Sequence, residues 1–226
     1  MIYLSYDFGK GWTLGTEIEF EVANKYGLAA RVDNHTIPGL RIGISGYYGQ
    51  TMHNTFPHDT ENEGSRYKDL KGVLYLGAFD FCYNAHNWIA RGNIDYGYVS
   101  DAELISQLKR NSTAGSAPYE KQGFGSHAIA ASVELGYDIF SQIEKLRAAK
   151  QKLYVFGHYE YYDYYDSYIH ISANTYTRKI IAAGGVNYYP IPQICVKAEY
   201  NHRFLRTPYN DEPSINIGIA YQGLFL

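Results

Sequence analysis

The stretch PSINIGIAYQGLFL, residues 213–226, places Ile215, Ile217, Ile219, Tyr221 and Phe225 on one parity and Ser214, Asn216, Gly218, Ala220 and Gln222 on the other. Strict alternation over this length is the pattern of a β-strand with one apolar and one wet face. Taken alone it fits any half-buried strand, so the fold is decided by whether the rest of the chain repeats it.

The repeat is clear. Residues 194–204 set Ile194, Val196, Ala198, Tyr200 and Phe204 against Lys197, Glu199, Asn201 and Arg203. Residues 127–139 set Ile129, Ala131, Val133, Leu135, Tyr137 and Ile139 against Ser132, Glu134, Gly136 and Asp138. Residues 88–98 set Trp88, Ala90, Gly92, Ile94, Tyr96 and Tyr98 against Arg91, Asn93, Asp95 and Gly97. Near the start, Trp12, Leu14, Ile18 and Phe20 oppose Glu17, Glu19 and Glu21. The pattern recurs with weaker contrast at 2–8, 25–33, 40–50, 71–83, 152–162 and 176–189. Together these make about eleven candidate strands of roughly ten residues; at ~3.3 Å rise and ~40° tilt, ten residues climb about 25 Å, the height of the apolar band of an outer-membrane barrel. Strands of soluble sandwiches average nearer five or six residues.

Composition points the same way. The 226 residues include 25 Tyr, 10 Phe and 2 Trp, yet the mean hydropathy is only −0.35. An aromatic-rich but polar chain suits a sheet with one apolar and one wet face better than a dry two-layer core. Net charge is −3 with a pI near 6.2, so no basic excess advertises nucleic acid. No apolar run approaches the ~18 residues of a membrane helix, whereas barrel strands alternate and keep hydropathy low. The start, MIYLSYDFGK, lacks the basic and apolar regions of a signal peptide. Cys82 and Cys195 fall in separate strands without metal-type spacing and are expected as free thiols, one disulfide being the alternative.

The connections alternate in length. Gly9 to Gly11, Asn34 to Gly39, Asn84 to Asn87 and Pro190 to Gln193 are tight turns of Gly, Pro and Asn. Between them lie long polar segments at 51–69, 101–125, 163–175 and 205–212, and SQIEKLRAAKQK (141–152) is expected to contain a helical turn. Short turns at one end and long loops at the other is the arrangement of bacterial barrels. The expected fold is therefore all-β, an antiparallel transmembrane up-and-down β-barrel of the outer-membrane porin type, forming one domain over residues 1–226. Its last strand is expected to close on its first, leaving no edge in lipid. The apolar parity would meet lipid, with Trp12, Trp88, Tyr137, Tyr200, Tyr221 and Phe225 among its aromatics. The polar parity would line the lumen with Arg31, Arg41, Arg91, Asp95, Glu134, Asp138, Lys197, Glu199 and Arg203. Asp7, Glu17, Glu19, Glu21, Asp33 and Glu160 would join them, so acid exceeds base; cross-strand ion pairing that merely holds the wall together is the simpler role for any one of these.

The ending GIAYQGLFL resembles the C-terminal signature of bacterial outer-membrane barrels. More specifically, DFGKGWTLGTEIEF, NKYGLAARVDNHTIPGLRIGISGYYGQ, FDFCYNAHNWIARGNIDYGYVSD, KLYVFGHYEYYD and VNYYPIPQICVKAEYNHRF resemble Bacteroidetes outer-membrane proteins related to the phosphate-selective porins. The resemblance implies a location in the outer membrane of a Gram-negative bacterium, contact with its lipid and lipopolysaccharide, and assembly by periplasmic chaperones and the barrel-assembly machinery. It implies passive diffusion of small hydrophilic solutes or ions and calls for no cofactor; a monomer, a homotrimer and association with another outer-membrane protein all stay open. Family barrels are larger, with about 16 strands, and this chain passes from EIEFEVANKYGL directly to a later strand, as an internally shortened member would. Counting back from the C-terminus makes residues 2–8 run toward the short-turn end, which gives an odd strand count where bacterial barrels are even.

Other chemistry is weakly signalled. AELISQLKRN in the 101–125 loop, with Leu104 and Leu108 four apart, fits a short helix folded into the pore or a plain surface loop. His53, His58, Asp59 and Glu61 are close in sequence, but their spacing matches no known ligand pattern. No GxSxG, HExxH, Walker or GxGxxG motif is present. His127 and His158, on neighbouring strands, are where a catalytic cluster would be sought. An enzyme is not expected. The competing expectations are a non-conducting barrel acting as a surface binding or scaffold protein, and a soluble β-sandwich or lipocalin-like binder.

Overall fold

The computed structural model describes residues 2–21, 25–50, 71–105, 125–166, 178–205 and 210–222. It forms one 11-stranded antiparallel sheet in which every strand pairs with its neighbours in sequence. The strands are β1 (Ile2–Gly9), β2 (Trp12–Glu21), β3 (Lys25–Asn34), β4 (Leu40–Gln50), β5 (Val73–Ala85), β6 (Trp88–Val99), β7 (His127–Asp138), β8 (Lys152–Asp166), β9 (Arg178–Ile191), β10 (Ile194–Phe204) and β11 (Glu212–Tyr221). Each lies within a few residues of a segment where the alternation predicts one. The single sheet overturns the two-sheet sandwich.

The short turns form as their residues dictate. Gly9, Lys10 and Gly11 carry positive φ between β1 and β2, and His86 and Asn87 do so between β5 and β6. Two left-handed residues in a row match the twist of a tight hairpin. The 139–151 connection holds a 3-10 turn at Ile139–Gln142 and a short α-helix at Glu144–Ala148. Asp138 organises this end: its Oδ1 accepts from the Phe140 amide at 3.1 Å and the Leu153 amide at 3.0 Å.

Register keeps one parity together across the whole sheet. Leu14, Val32, Ile44, Phe79 and Ile94 are successive cross-strand partners on one face, followed by Ala131. Farther along the same face, Val155, Val186, Ala198 and Ile217 are partners. This apolar face is the exposed one: Ile44 is 62% accessible, Ile94 52% and Ile217 78%. The polar face is concave, because Ser5 of β1, Arg31 of β3, Asp95 of β6 and Glu160 of β8 all border one cavity of ≈ 910 Å³. The molecule is therefore inside-out relative to a soluble protein, whose large apolar side chains turn inward.

Aromatics gather at the two ends of the apolar face. Toward the long-loop end Tyr26, Tyr48, Tyr75 and Tyr98 form a row with ring centroids 6.0, 5.3 and 6.3 Å apart, extended by His127 at 4.9 Å. At the short-turn end Trp88 packs on Tyr137 at 4.7 Å. Trp12, Tyr200 and Tyr221 are also on the apolar parity and exposed, while Phe225 lies outside the described residues. Among the described residues β1 and β11 are the edges of the sheet, so the expected closing pair is not observed. The physical reason is direction: with an odd number of antiparallel strands β1 and β11 run the same way, and pairing them would need a parallel seam.

The inverted faces predict asymmetric sensitivity to charge. Ile94→Arg, at mid-height on the apolar face, is expected to cost about 2–4 kcal/mol in a bilayer. Asn201→Arg, on the polar face of β10, should cost less than about 1 kcal/mol. Denaturant titration of the protein folded into vesicles measures both.

Candidate functional site

The concave face divides by height. Its half nearer the short turns carries a lattice of charge. Asp33, Gly43, Asp80, Asn93, Ser132 and Glu160 are successive partners from β3 to β8. The next row on this face toward the short turns runs Arg41, Cys82, Arg91, Glu134 and His158. Arg31 bonds Asp33 at 2.7 Å and Asp80 at 2.8 Å; Arg41 bonds the same two carboxylates at 3.0 and 2.6 Å. Two guanidinium groups and two carboxylates thus form a closed four-membered unit, in which each ion faces two of opposite sign.

Gly43 makes the unit possible. It sits between Asp33 and Asp80 in the register, and a Cβ there would meet the Arg31 guanidinium, with Asp33 Oδ1 at 2.8 Å. The missing side chain is the space the ions occupy. The lattice continues as Arg91 to Glu134 at 2.8 Å, Glu134 to His158 Nδ1 at 3.6 Å, and His158 Nε2 to Glu160 at 2.8 Å. Cys82, between Arg41 and Arg91, is a free thiol, as is Cys195.

The half nearer the long loops is different. Ala29, Tyr47, Leu76, Gly97 and Ala128 form one row and Arg31, Ser45, Ala78, Asp95 and Ala130 the row below it. Small side chains leave most of the ≈ 910 Å³ cavity here. Tyr47 borders it and lies over the glycine pair Gly27 and Gly49, its hydroxyl 2.6 and 2.5 Å from where their Cβ atoms would stand.

All nine residues expected in the lumen lie on the polar parity, but in different settings. Arg31, Arg41, Arg91 and Glu134 are brought together in the lattice. Asp95 stands just above it, between Ala78 and Ala130. Asp138 is 4% accessible and serves as the turn cap described above. Lys197, Glu199 and Arg203 stand apart on β10, where Glu199 accepts from Asn216 at 3.3 Å and Arg203 pairs with Glu212 at 2.6 Å. Asp80, which completes the four-membered unit, is absent from the expected set. Its polar parity within VLYLGAFDFCYNA is the signal that marks it, obscured by Leu74 and Leu76 on the same parity.

The catalytic pairing considered for His127 and His158 is overturned. His127 partners Tyr98 on the apolar face, whereas His158 partners Glu134 on the polar face, so their rings point away from a common centre. No group of three or more metal-ligating side chains occurs among the described residues. His53, His58, Asp59 and Glu61 lie outside those residues, as does most of the 101–125 loop, of which residues 102–105 form a helical turn.

No family model matches the chain, and no curated relative does. Among solved structures it is similar to the loop L8 deletion mutant of OmpT, an outer membrane protein of Vibrio cholerae, with a TM-score of 0.51 and 15% identity. The match covers 96% of this chain and 60% of that one, so the chain spans less than two-thirds of the length of the protein it resembles. At this identity the likeness concerns the fold.

Gly43→Ala is expected to destabilise the protein by more than about 1 kcal/mol by displacing Arg31, since it breaks a linked ion cluster. Gly77→Ala, where an added Cβ meets nothing within 4 Å, should change stability by less than about 0.5 kcal/mol; parallel denaturant curves compare them. At the long-loop end, His202 beside Asp211 and the Leu205 amide hold the Asp211 carboxyl below the usual carboxylate range. A depressed folded-state pKa means this tether is fully present above the ordinary aspartate pKa and is lost as pH falls through the lowered one. The Leu205 amide chemical shift should report that single acid step, and Asp211→Asn should remove it.

Proposed function

We propose that the chain forms the transmembrane wall of an outer-membrane pore for passive diffusion of small hydrophilic solutes or ions. The observation that carries this reading is the inversion of the sheet: large apolar side chains on the exposed convex face, charged and hydroxyl groups on the concave one. In lipid the first face needs no further cover, and the second is where water and solutes are accommodated. The tyrosine row and the Trp88–Tyr137 pair, roughly one strand length apart, suit the two membrane interfaces.

The location is then the outer membrane of a Gram-negative bacterium, with lipid and lipopolysaccharide against the apolar face and the barrel-assembly machinery and periplasmic chaperones as assembly partners. The chain is one barrel domain over residues 1–226, with the described strands as its wall. Kinship with the Bacteroidetes porins rests on the sequence motifs quoted above. Selectivity is weak, because the lattice arginines are matched by Asp33 and Asp80 and present no converging field to a passing phosphate. The role is a pore rather than an enzyme.

Planar-bilayer recording of the folded chain under a KCl gradient tests this. Discrete current steps with a reversal potential near zero or slightly cation-favouring are expected. Silence from a sample shown to be folded by its heat-dependent gel shift would contradict conduction and favour a scaffold barrel. A strongly anion-favouring reversal potential would contradict weak selectivity.

A further inference from the structure

The cavity above the charge lattice combines a recognisable wall, floor and anchor. Its volume of ≈ 910 Å³ falls within the roughly 300–1,000 Å³ occupied by small-molecule sites. The wall beside Asp95 is hydrocarbon: Leu76, Ala78, Ala128 and Ala130 border the same space. The floor is the lattice, in which Arg31 and Arg41 each pair with both Asp33 and Asp80. Arg31, the guanidinium bordering the cavity, has both Asp33 and Asp80 as partners.

Asp95 is the exception to that pairing. Its register neighbours on the polar face are Ala78 and Ala130, neither of which can donate or carry charge. Its carboxylate accepts from the Asn93 side-chain amide, whose own oxygen accepts from the Ser132 hydroxyl. This Ser132 to Asn93 to Asp95 relay aims the carboxylate without neutralising it. By contrast Asp33 has two arginines and Glu160 has His158. The Lys179 ammonium lies over the Tyr162 ring at 5.9 Å, and among the described residues no cation pairs with Asp95.

We propose that this cavity binds a small amine-bearing solute, its ammonium on Asp95 and its hydrocarbon body against Leu76, Ala78, Ala128 and Ala130. Charge complementarity selects the cation, since among the described residues bordering the cavity Asp95 is the carboxylate with no cationic side chain paired to it. The apolar wall selects an organic cation over a hydrated metal ion, because removing water from Leu76 and the alanines is favourable only if hydrocarbon replaces it. A neutral alcohol of the same size lacks the ion pair, and a carboxylate meets Asp95 with like charge. The inference deepens the pore reading by naming the solute class its lumen holds, and it rests on that reading only for transport.

Two measurements on the full folded chain separate the site from the pore. Calorimetric titration with n-butylammonium chloride in detergent should show saturable binding, with 1-butanol and sodium butyrate showing none. Asp95→Asn, which keeps the acceptor for Asn93, should weaken butylammonium binding at least tenfold, and Asp95→Ser should do the same. In bilayers, butylammonium should reversibly reduce the wild-type current, with a half-blocking concentration at least tenfold higher in Asp95→Asn. Equal affinity of wild type and both variants, or equal binding of butanol, would overturn the site even if the chain conducts. Asp95-dependent binding by a folded chain that passes no current would uphold the site and overturn the pore.

Discussion

On the pore reading, the governing constraint is the need to pair backbone groups where water is absent. An extended chain in hydrocarbon must give every N–H and C=O a partner in the neighbouring strand, and only long, in-register ladders do this. The ten antiparallel pairings between successive strands supply them, most running nearly the full strand length. Once the ladder is fixed, alternation of side chains leaves a chain only one further choice, which face is apolar. Here the register holds that choice constant from β1 to β11, so the exposed surface is made of Ile, Val, Leu and aromatic side chains.

The concave face shows how charge is accommodated once it has been turned inward. Removing one partner from a half-buried ion cluster leaves the others without compensation, so such groups come in closed sets. The Arg31, Asp33, Arg41 and Asp80 unit is such a set, drawn from three strands and centred on a glycine without which the guanidinium could not pass. Above it, alanine, glycine and serine keep the lumen open. Ions and open space thus lie at different heights of one wall: ions where the strands are cross-linked, small side chains where the concave face leaves room.

Most of the fold was legible in the sequence because a sheet with one apolar and one polar face imposes the simplest of periodicities. PSINIGIAYQ and ICVKAEYN alternate with only the small residues Ala220 and Cys195 on the polar parity, and the turns between strands carry Gly, Asn and Pro where left-handed or rigid backbone is required. The lumen-facing parity of Arg31, Arg41, Arg91 and Glu134 followed from the same alternation. Their mutual contacts did not, because pairing depends on register and on the space at Gly43, neither of which is written locally. Asp80 escaped notice since Leu74 and Leu76 share its parity and blur the contrast. The tyrosine row of Tyr26, Tyr48, Tyr75 and Tyr98 was hidden for a related reason: its members come from four strands and meet only when the ladder aligns them. Closure is likewise not a local property. The direction of β1 relative to β11 is set by strand count, which leaves the two edges co-directional.

That the apolar parity faces lipid and the polar parity faces water is the premise of the pore. It is tested most directly by placing single spin labels along β6, from Trp88 to Tyr98, in vesicles, with Cys82 and Cys195 replaced by serine. Collision rates with dissolved oxygen and with a water-soluble nickel chelate are then compared at each position. A period of two is expected, with oxygen favoured at 88, 90, 94 and 96 and the nickel chelate at 91, 93 and 95; Gly92 is left unlabelled because a Cβ there would lie 2.7 Å from the Ser132 carbonyl oxygen. Loss of that alternation, or its reversal, would contradict the inside-out sheet and everything drawn from it.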